Sequence, residues 1–339
     1  MAKYCFLTPT YKVNFLQLAI DSMLKQTFKD FEIIISDDCS PYHVEDVIKN
    51  YNDPRIKFRK NKKNIGGKNL VDHWNLLLKE CDAEYVIIAS DDDTYQPNFL
   101  EEIDSLSLKY PNVNVLRARV QRINENGDIT TKEDIFEEYQ TQLDALYSIF
   151  CGNYIGCVGN YVFKRSVVLE ECGFVNFPYA WFSDLVTAVM LMKNGQVNTK
   201  TILFNFRLSN CNISNTKSNK EVDRNKLNAT LLFDKWISNY IKTFDINQLT
   251  TLERYQYNQI LTTYKHRVYT QAGDYSWAIP FWKWWFIYQS FSNHAFFSKT
   301  SFLKYFFISI LNRKANSLQR KQSFYFSFLF LIRFTITYF

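Results

Sequence analysis

Three aspartates in a row, Asp91-Asp92-Asp93, close the run YVIIASDDD at residues 85–93. Adjacent carboxylates repel and resist burial unless a cation or a proton relieves them. Oxygen-rich clusters of this kind suit Mg²⁺ or Mn²⁺, often held by one or two carboxylates with substrate phosphates completing the shell. An acidic turn, or a cap for a helix beginning near Pro97, would use the same residues, and Asp93 stands nearest that helix. A second cluster, Ser36-Asp37-Asp38-Cys39-Ser40, follows another apolar run. An aspartate there can accept hydrogen bonds from a base or ribose, although Asp and Ser also favour plain turns.

Other chemistries find less support. The seven cysteines are an odd number without a CxxC pair, so spacing favours neither a disulfide framework nor a structural zinc site. A reducing compartment is expected. No Ser–His–Asp order stands out. His43 and His73 read as surface residues, and Trp74, at helical spacing from Val71, Leu77 and Leu78, reads as core.

Secondary-structure elements must place the two acidic clusters. Residues 4–8, 31–35, 56–59, 85–89 and 113–120 read as strands. Residues 14–26, 43–51, 69–81 and 98–109 read as helices between them, with an Asn64-Ile65-Gly66-Gly67 turn before the third. This alternation predicts an α/β fold with a mainly parallel sheet covered on both faces. Ligands bind such sheets at the carboxyl ends of the strands, where both acidic clusters lie. Residues 132–138 read as an acidic surface excursion, 183–194 as helix and 197–206 as strand. From about residue 219 the pattern is helical without strands. We therefore expect two domains, 1–215 and a helical 216–339.

The second domain differs in composition. From residue 275 onward there are eight Lys or Arg and no Asp or Glu, in a chain of net charge +6. The same 65 residues hold 23 of the 59 aromatics. The terminal run SFYFSFLFLIRFTITYF at 323–339 is shorter than the ~20 apolar residues a spanning helix needs. With FWKWWFIYQSF upstream, it suits peripheral contact with an anionic membrane surface. Aromatics packed internally or in a homodimer are the other reading. A basic aromatic tail also suits nucleic acid, but its position beside an apolar terminus favours a membrane. The N-terminus enters a strand-like run without an apolar signal segment, so no export and a cytoplasmic location are expected.

Several segments in order carry a more specific likeness: TPTYK at 8–12, LKQTFKDFEIIISDDCS at 24–40, NIGGKNLVDHWN at 64–75, EYVIIASDDDTYQPNFL at 84–100, FSDL at 182–185 and FRLSNCNIS at 206–214. Together they resemble the family-2 glycosyltransferases, whose GT-A (Rossmann-like) fold matches the expected sheet, over residues 1–215. The resemblance implies an inverting transfer from a UDP-sugar. Pro9 and Tyr11 would flank the uracil, Asp38 would hydrogen-bond the base, and Asp91 would sit near the ribose or donor sugar. Asp92 would ligate Mn²⁺ or Mg²⁺, and Asp184 would be the general base. Ser183 stands where the family has Glu, and Ser209 where it often has a metal-assisting His. Arg207 would offset phosphate charge, or is a surface residue after a strand.

Lys68 follows the Gly66-Gly67 turn and is read as a nucleotide contact or a solvated helix-start lysine. Tyr179 and Trp181, just before Asp184, offer faces to an acceptor sugar or pack in the core. Family analogy and the basic aromatic tail imply a saccharide or lipid-linked saccharide acceptor at the inner membrane face, in bacterial surface polysaccharide assembly. A sugar nucleotidyltransferase would share the strand–helix alternation, but its Gly-rich N-terminal phosphate loop has no counterpart in TPTYK. A catalytically inactive nucleotide-sugar or membrane-binding protein is the non-enzymatic alternative, against which Asp184 counts.

Overall fold

The apolar runs of the first half become strands that meet in one sheet. The computed structural model describes residues 2–210, 218–294 and 296–312, without the side chains of Lys68, Leu311 and Asn312. Contacts divide the chain into two units, Met1–Thr216 and Lys217–Phe339. The first unit holds β1 (Tyr4–Thr10), β2 (Phe31–Asp37), β3 (Ile56–Lys60), β4 (Tyr85–Ile88), β5 (Thr94–Tyr95), β6 (Val115–Ile123), β7 (Ile129–Lys132), β8 (Tyr139–Gln140), β9 (Tyr161–Lys164) and β10 (Gln196–Arg207). They order as β3-β2-β1-β4-β9-β6-β10-β5, with β7 beside β6 and β8 beside β10.

The pairing is parallel through β3-β2-β1-β4 and between β6 and β10. β9 runs antiparallel to both β4 and β6, and the short β5, β7 and β8 are also antiparallel to their neighbours. The sheet is therefore mixed. Register fixes what reaches its edge: Thr10 pairs with Asp37, and Leu7 with Ile88. The loops after β1, β2 and β4 consequently leave the sheet side by side.

Helices α1 (Leu16–Leu24), α2 (Val44–Ile48), α3 (Gly66–Glu80), α4 (Phe99–Lys109), α5 (Gln142–Cys151), α6 (Arg165–Glu170) and α7 (Ser183–Leu191) connect the strands. In α1, Leu16, Ala19, Ile20 and Met23 are buried, the i, i+3, i+4, i+7 stripe of an amphipathic helix. They join Phe6, Ile33, Ile87, Phe99 and Phe204 in one core. Each fully buried large aliphatic or aromatic side chain contributes about 1.5–3 kcal/mol, which outweighs the modest propensity of these short helices. Trp74 is buried against Phe174, as its spacing predicts.

The acidic stretch 132–138 does not simply lie on the surface. Glu133 is buried and forms an ion pair with the fully buried Arg117 of β6, with Nη1 donating to Oε2 at 3.0 Å. It also accepts the backbone N–H groups of Val120 and Ile155. Pairing of β7 with β6 carries the chain back over the sheet, and an unpaired Arg117 there would cost several kcal/mol.

The second unit contains α8 (Lys220–Ile241), α9 (Thr251–Tyr275), α10 (Trp284–Ser292) and α11 (Lys299–Asn312). Asn219 caps α8 by accepting N–H groups of Glu221 and Val222, and Thr250 with Glu253 forms a capping box on α9. A Cβ on Gly273 would stand 2.5 Å from the backbone oxygen of Phe306, so only glycine permits this approach of α9 and α11. Trp284, Phe291, Phe302 and Phe306 are buried. The aromatics of residues 284–310 thus largely build this unit's core, while Trp282 and Phe286 are each 64 % exposed. Among the described residues no helix is long and apolar enough to cross a membrane. The run at 323–339 lies outside the described residues.

Candidate active site

The loop after β4 is tied to the loop after β1. Oδ2 of Asp91 accepts the backbone N–H groups of Tyr11 at 3.0 Å and Lys12 at 2.9 Å. Ser40, beyond β2, donates its hydroxyl to the Tyr11 carbonyl at 2.5 Å and its backbone N–H to Oδ1 of Asp37 at 2.7 Å. Pro9 is the next-to-last residue of β1, paired with Ser36 at the same edge and partly exposed. The rings of Tyr11 and Tyr42 meet edge to face at 6.0 Å and both are exposed, leaving aromatic surface beside this edge.

The three aspartates differ in surroundings. Burial pushes the Asp91 carboxyl up, opposed by the N–H groups of Tyr11 and Lys12. Asp92 is pushed up to about 6, by burial first and by Asp91 next, with Lys12 and Arg207 opposing. Asp93, expected to cap the turn, is instead the buried member. Its Oδ1 accepts the backbone N–H of Arg207 at 2.8 Å, and Ser90 donates its hydroxyl to Oδ2. Burial and Asp92 push its carboxyl well above the ordinary range. Positive charge is therefore what this loop lacks. Half-buried Asp92, with oxygen donors on either side, is suited to a hard divalent cation.

Arg207 was expected to meet phosphate or solvent. It is 4 % exposed and its guanidinium is engaged with backbone: Nε donates to the carbonyl of Asp92 at 2.9 Å, and Nη1 to the carbonyls of Asn124 and Glu125 at 3.2 Å. The guanidinium also lies over the Phe15 ring, 4.5 Å from its centroid. β10 delivers it into the sheet edge, where it clamps the aspartate loop. Ser209 is buried nearby, and Cys211–Ser214 of the FRLSNCNIS segment lie outside the described residues.

Asp38 sits at the carboxyl end of β2 and holds the NIGG turn. Its oxygens accept the N–H groups of Ile65 at 2.8 Å and Gly66 at 2.7 Å, and the Asn61 amide at 2.8 Å. A Cβ on Gly66 would fall 3.0 Å from Oδ2, which explains the glycine. His73, read from sequence as a surface residue, is 1 % exposed beneath this turn. Its Nε2 accepts from the Asn61 amide at 3.2 Å and lies 2.8 Å from the Ser36 hydroxyl, while Nδ1 faces Asp38 at 3.8 Å. Burial, reinforced by Arg59 and opposed by Asp38 and Glu80, holds the imidazole below its ordinary value. The side chain of Lys68 lies outside the described residues.

Asp184 stands in the first turn of α7, half-buried, where its Oδ1 accepts the N–H of Leu185 at 2.8 Å. The chain reaches it through Tyr179, Ala180 and Phe182 at φ 59°, 54° and 68°, left-handed conformations that non-glycine residues seldom adopt. Ser183, the departure from Glu, is fully buried and accepts the N–H of Phe177 at 3.1 Å. It fixes the bend that presents Asp184. Asn75 of α3 anchors the same segment by accepting the N–H of Phe174 at 2.7 Å. Tyr179 and Trp181 are half-buried on this bend.

The segment 154–161 feels carboxylates of both groups. Burial raises the Cys157 thiol, and the charges of both Asp93 and Asp184 raise it further. Asp184 acts in the same way on Tyr154 and Tyr161, whose hydroxyls touch. Asp93 and Asp184 thus both act on Cys157. The sequence pointed to Asp91, Asp92 and Asp184, which stand after β4 and in the first turn of α7. It gave Asn61 no role, read His73 as surface and marked Ser183 only as a departure from Glu, since polar residues spaced this way carry no signal without the fold.

Residues 5–170 match the model of Glycosyl transferase family 2. The chain is 26 % identical over 223 residues to the Escherichia coli UDP-Glc:alpha-D-GlcNAc-diphosphoundecaprenol beta-1,3-glucosyltransferase WfgD, covering 64 % of this chain and 81 % of that protein. Among solved structures, S. aureus TarS in complex with UDP-GlcNAc superposes with a TM-score of 0.53 at 16 % identity, covering 81 % of this chain and 87 % of that one. Mannosyltransferase PcManGT from Pyrobaculum calidifontis, in complex with GDP-Man and Mn²⁺, superposes with a TM-score of 0.52 at 12 % identity, over 91 % and 86 % of the two chains. The fold is that of GT-A glycosyltransferases. Residues 5–170 are a glycosyl transferase family 2 domain.

Proposed function

We propose that this chain transfers a sugar from a UDP-sugar to a hydroxyl of a lipid-linked saccharide, with inversion, in the assembly of a bacterial surface polysaccharide. One observation carries the reading: the Asp91–Asp93 loop is laced at the carboxyl edge of the sheet, Asp91 to the N–H groups of Tyr11 and Lys12 and Asp93 to that of Arg207, within the stretch that matches the family model. The donor diphosphate is assigned to the loop and its sugar to the side of Asp184, as the family resemblance implies. WfgD, by its name, takes UDP-Glc and a diphosphoundecaprenol-linked acceptor, which supports the substrate classes.

Asp92 would hold Mn²⁺ or Mg²⁺, with Asp91 beside it, and the ion when bound would offset charge on the diphosphate. Pro9 and Tyr11 flank the base on one side, and the Asp38-held turn, with Lys68 just after it, borders it on the other. Arg207 serves from behind by fixing the loop. Asp184 accepts the acceptor's proton as its oxygen attacks the anomeric carbon opposite the diphosphate. The C1–O bond to the donor breaks as the new glycosidic bond forms, so the centre inverts without an enzyme nucleophile. Tyr179 and Trp181 on the bend present aromatic surface to the acceptor sugar. Trp282, Phe286 and the cationic Lys283 between them support peripheral contact of the second unit with the inner face of the cell membrane.

The test is a screen of UDP-, GDP- and dTDP-sugars for nucleotide release by the full chain, with Mn²⁺ and with EDTA. Slow, metal-dependent hydrolysis of one UDP-sugar is the expected result. Release from a GDP-sugar alone, or release untouched by EDTA, would overturn the donor or the metal assignment.

A further inference from the structure

We propose that Cys5, Glu32 and Cys81 form a binding site for a thiolate-seeking divalent cation of the zinc class, away from the candidate active site. Among the described residues, these three are the one grouping whose ligand atoms all lie within 4.8 Å of one another. They come from separate elements: β1, β2 and the residue that ends α3. Parallel pairing sets Cys5 directly opposite Glu32. Cys5 is five residues before Thr10, about 16 Å along the strand from the edge that carries the aspartates. Their wide separation in sequence hides the grouping, which no motif spacing reveals.

Geometry and charge both suit an ion. Tetrahedral ligands bound at about 2.3 Å stand roughly 3.8 Å apart, so a small contraction of this cluster would enclose one. Both cysteines are fully buried, and the Ala83 N–H donates to Cys81 Sγ at 3.3 Å, a bond that strengthens when the sulfur is a thiolate. Glu32 is paired with Lys57. A divalent ion that displaces both thiol protons leaves a cluster of two thiolates, one carboxylate and the ion, with one net negative charge. Lys57 offsets that charge, so the site is neutral whether empty or loaded. Glu32 is the ligand that reaches solvent, its side chain 14 % exposed beside the 62 % exposed Lys57. An ion here would join β1, β2 and the end of α3, whose beginning is the turn held by Asp38.

The full chain, purified under reductant and without chelator, is titrated with Cd²⁺ while the thiolate-to-cadmium charge-transfer absorption and proton release are followed. We expect one ion per chain, two protons released per ion, displacement by Zn²⁺ but not by Mn²⁺, and a raised Tm in the loaded protein. The absorption is lost in Cys5→Ala and in Cys81→Ala, and affinity falls about tenfold or more in Glu32→Gln. Glu32 is partly exposed, so Glu32→Gln keeps the test open if a buried cysteine variant does not fold. No thiolate absorption in the wild-type chain, unchanged binding in Glu32→Gln, or a Cys5–Cys81 disulfide that persists under reductant would overturn the proposal. None of these readouts involves the candidate active site, so the site can fail while the glycosyl-transfer reading stands.

Discussion

The backbone N–H of Arg207 donates to Oδ1 of Asp93 at 2.8 Å, and its Nε–H reaches the carbonyl oxygen of Asp92 at 2.9 Å. One residue of β10 therefore sets the conformation of two of the three aspartates. A fork that meets several carbonyls at once is not replaceable by a point charge. Arg207→Lys should lower metal-dependent UDP affinity about tenfold or more, as losses in the shell behind a ligand do. Calorimetry with Mn²⁺ checks this. Wild-type affinity in the lysine variant would mean that the site uses only the charge.

Asp92 and Asp93 should separate under substitution. Asp92→Ala should abolish the metal dependence of UDP binding, measured by calorimetry with Mn²⁺ and with EDTA. Asp93→Asn keeps an acceptor for the Arg207 N–H and adds an amide beside the Ser90 hydroxyl. It should destabilise the chain by about 1–3 kcal/mol while leaving metal-dependent UDP binding detectable. Full-strength, metal-independent UDP binding by Asp92→Ala would remove Asp92 as the ligand.

Much of this site was legible because strand periodicity and strand-end chemistry are local. The runs at Phe31–Asp37 and Tyr85–Ile88 could be read directly, and with them the edge where Asp38 and Asp91 stand. What the sequence concealed depends on distant pairing. Glu133 looks like one of several surface acids until β7 folds it onto Arg117. His73 looks like the polar face of α3 until Asn61 and Ser36 close over it. The short β5, β7 and β8 have two to four residues each, too few for any period to show. The tail's aromatics signalled burial of some kind, and only the α9–α11 packing around Gly273 says that many are buried within the chain.

His73 gives the turn a pH dependence of known sign. Burial depresses the imidazole below its ordinary 6.5, so the unfolded chain takes up this proton at a higher pH than the native one. The stabilisation from neutral His73 is therefore complete above 6.5 and is lost as pH falls from there through the folded value. The groups facing the ring pull both ways: Arg59 lowers it further, while Asp38 and Glu80 raise it. His73→Gln removes the titration. Urea midpoints should show the wild-type advantage over His73→Gln shrinking as pH falls below 6.5. A constant difference across that range would show that His73 does not titrate in folding.

Membrane contact is best probed at residues the core does not use. Deletion after residue 299 would remove the buried Phe302 and Phe306 and disturb the helical unit itself. Trp282 and Phe286 are exposed one helical turn apart, with Lys283 between them in sequence. Trp282→Ser with Phe286→Ser should reduce sedimentation with anionic liposomes several-fold and leave the Tm unchanged, since interfacial binding scales with inserted apolar area. Equal sedimentation of wild type and variant would assign these rings another role.

Asp184→Asn separates binding from chemistry. The amide keeps the size of the side chain and an oxygen to accept the Leu185 N–H, so α7 and the bend before it should be preserved. The base is lost, and positioned proton acceptors contribute about 10²–10⁴-fold to such reactions. kcat should fall by that order while the donor's KM and the Mn²⁺-dependent UDP affinity stay near wild type. Ser183→Ala provides the contrast. It removes the acceptor of the Phe177 N–H and loosens the bend, so it should lower Tm and raise acceptor KM with a smaller effect on kcat. Undiminished kcat in Asp184→Asn would remove this residue as the base and direct attention to the neighbouring groups around Tyr154 and Tyr161.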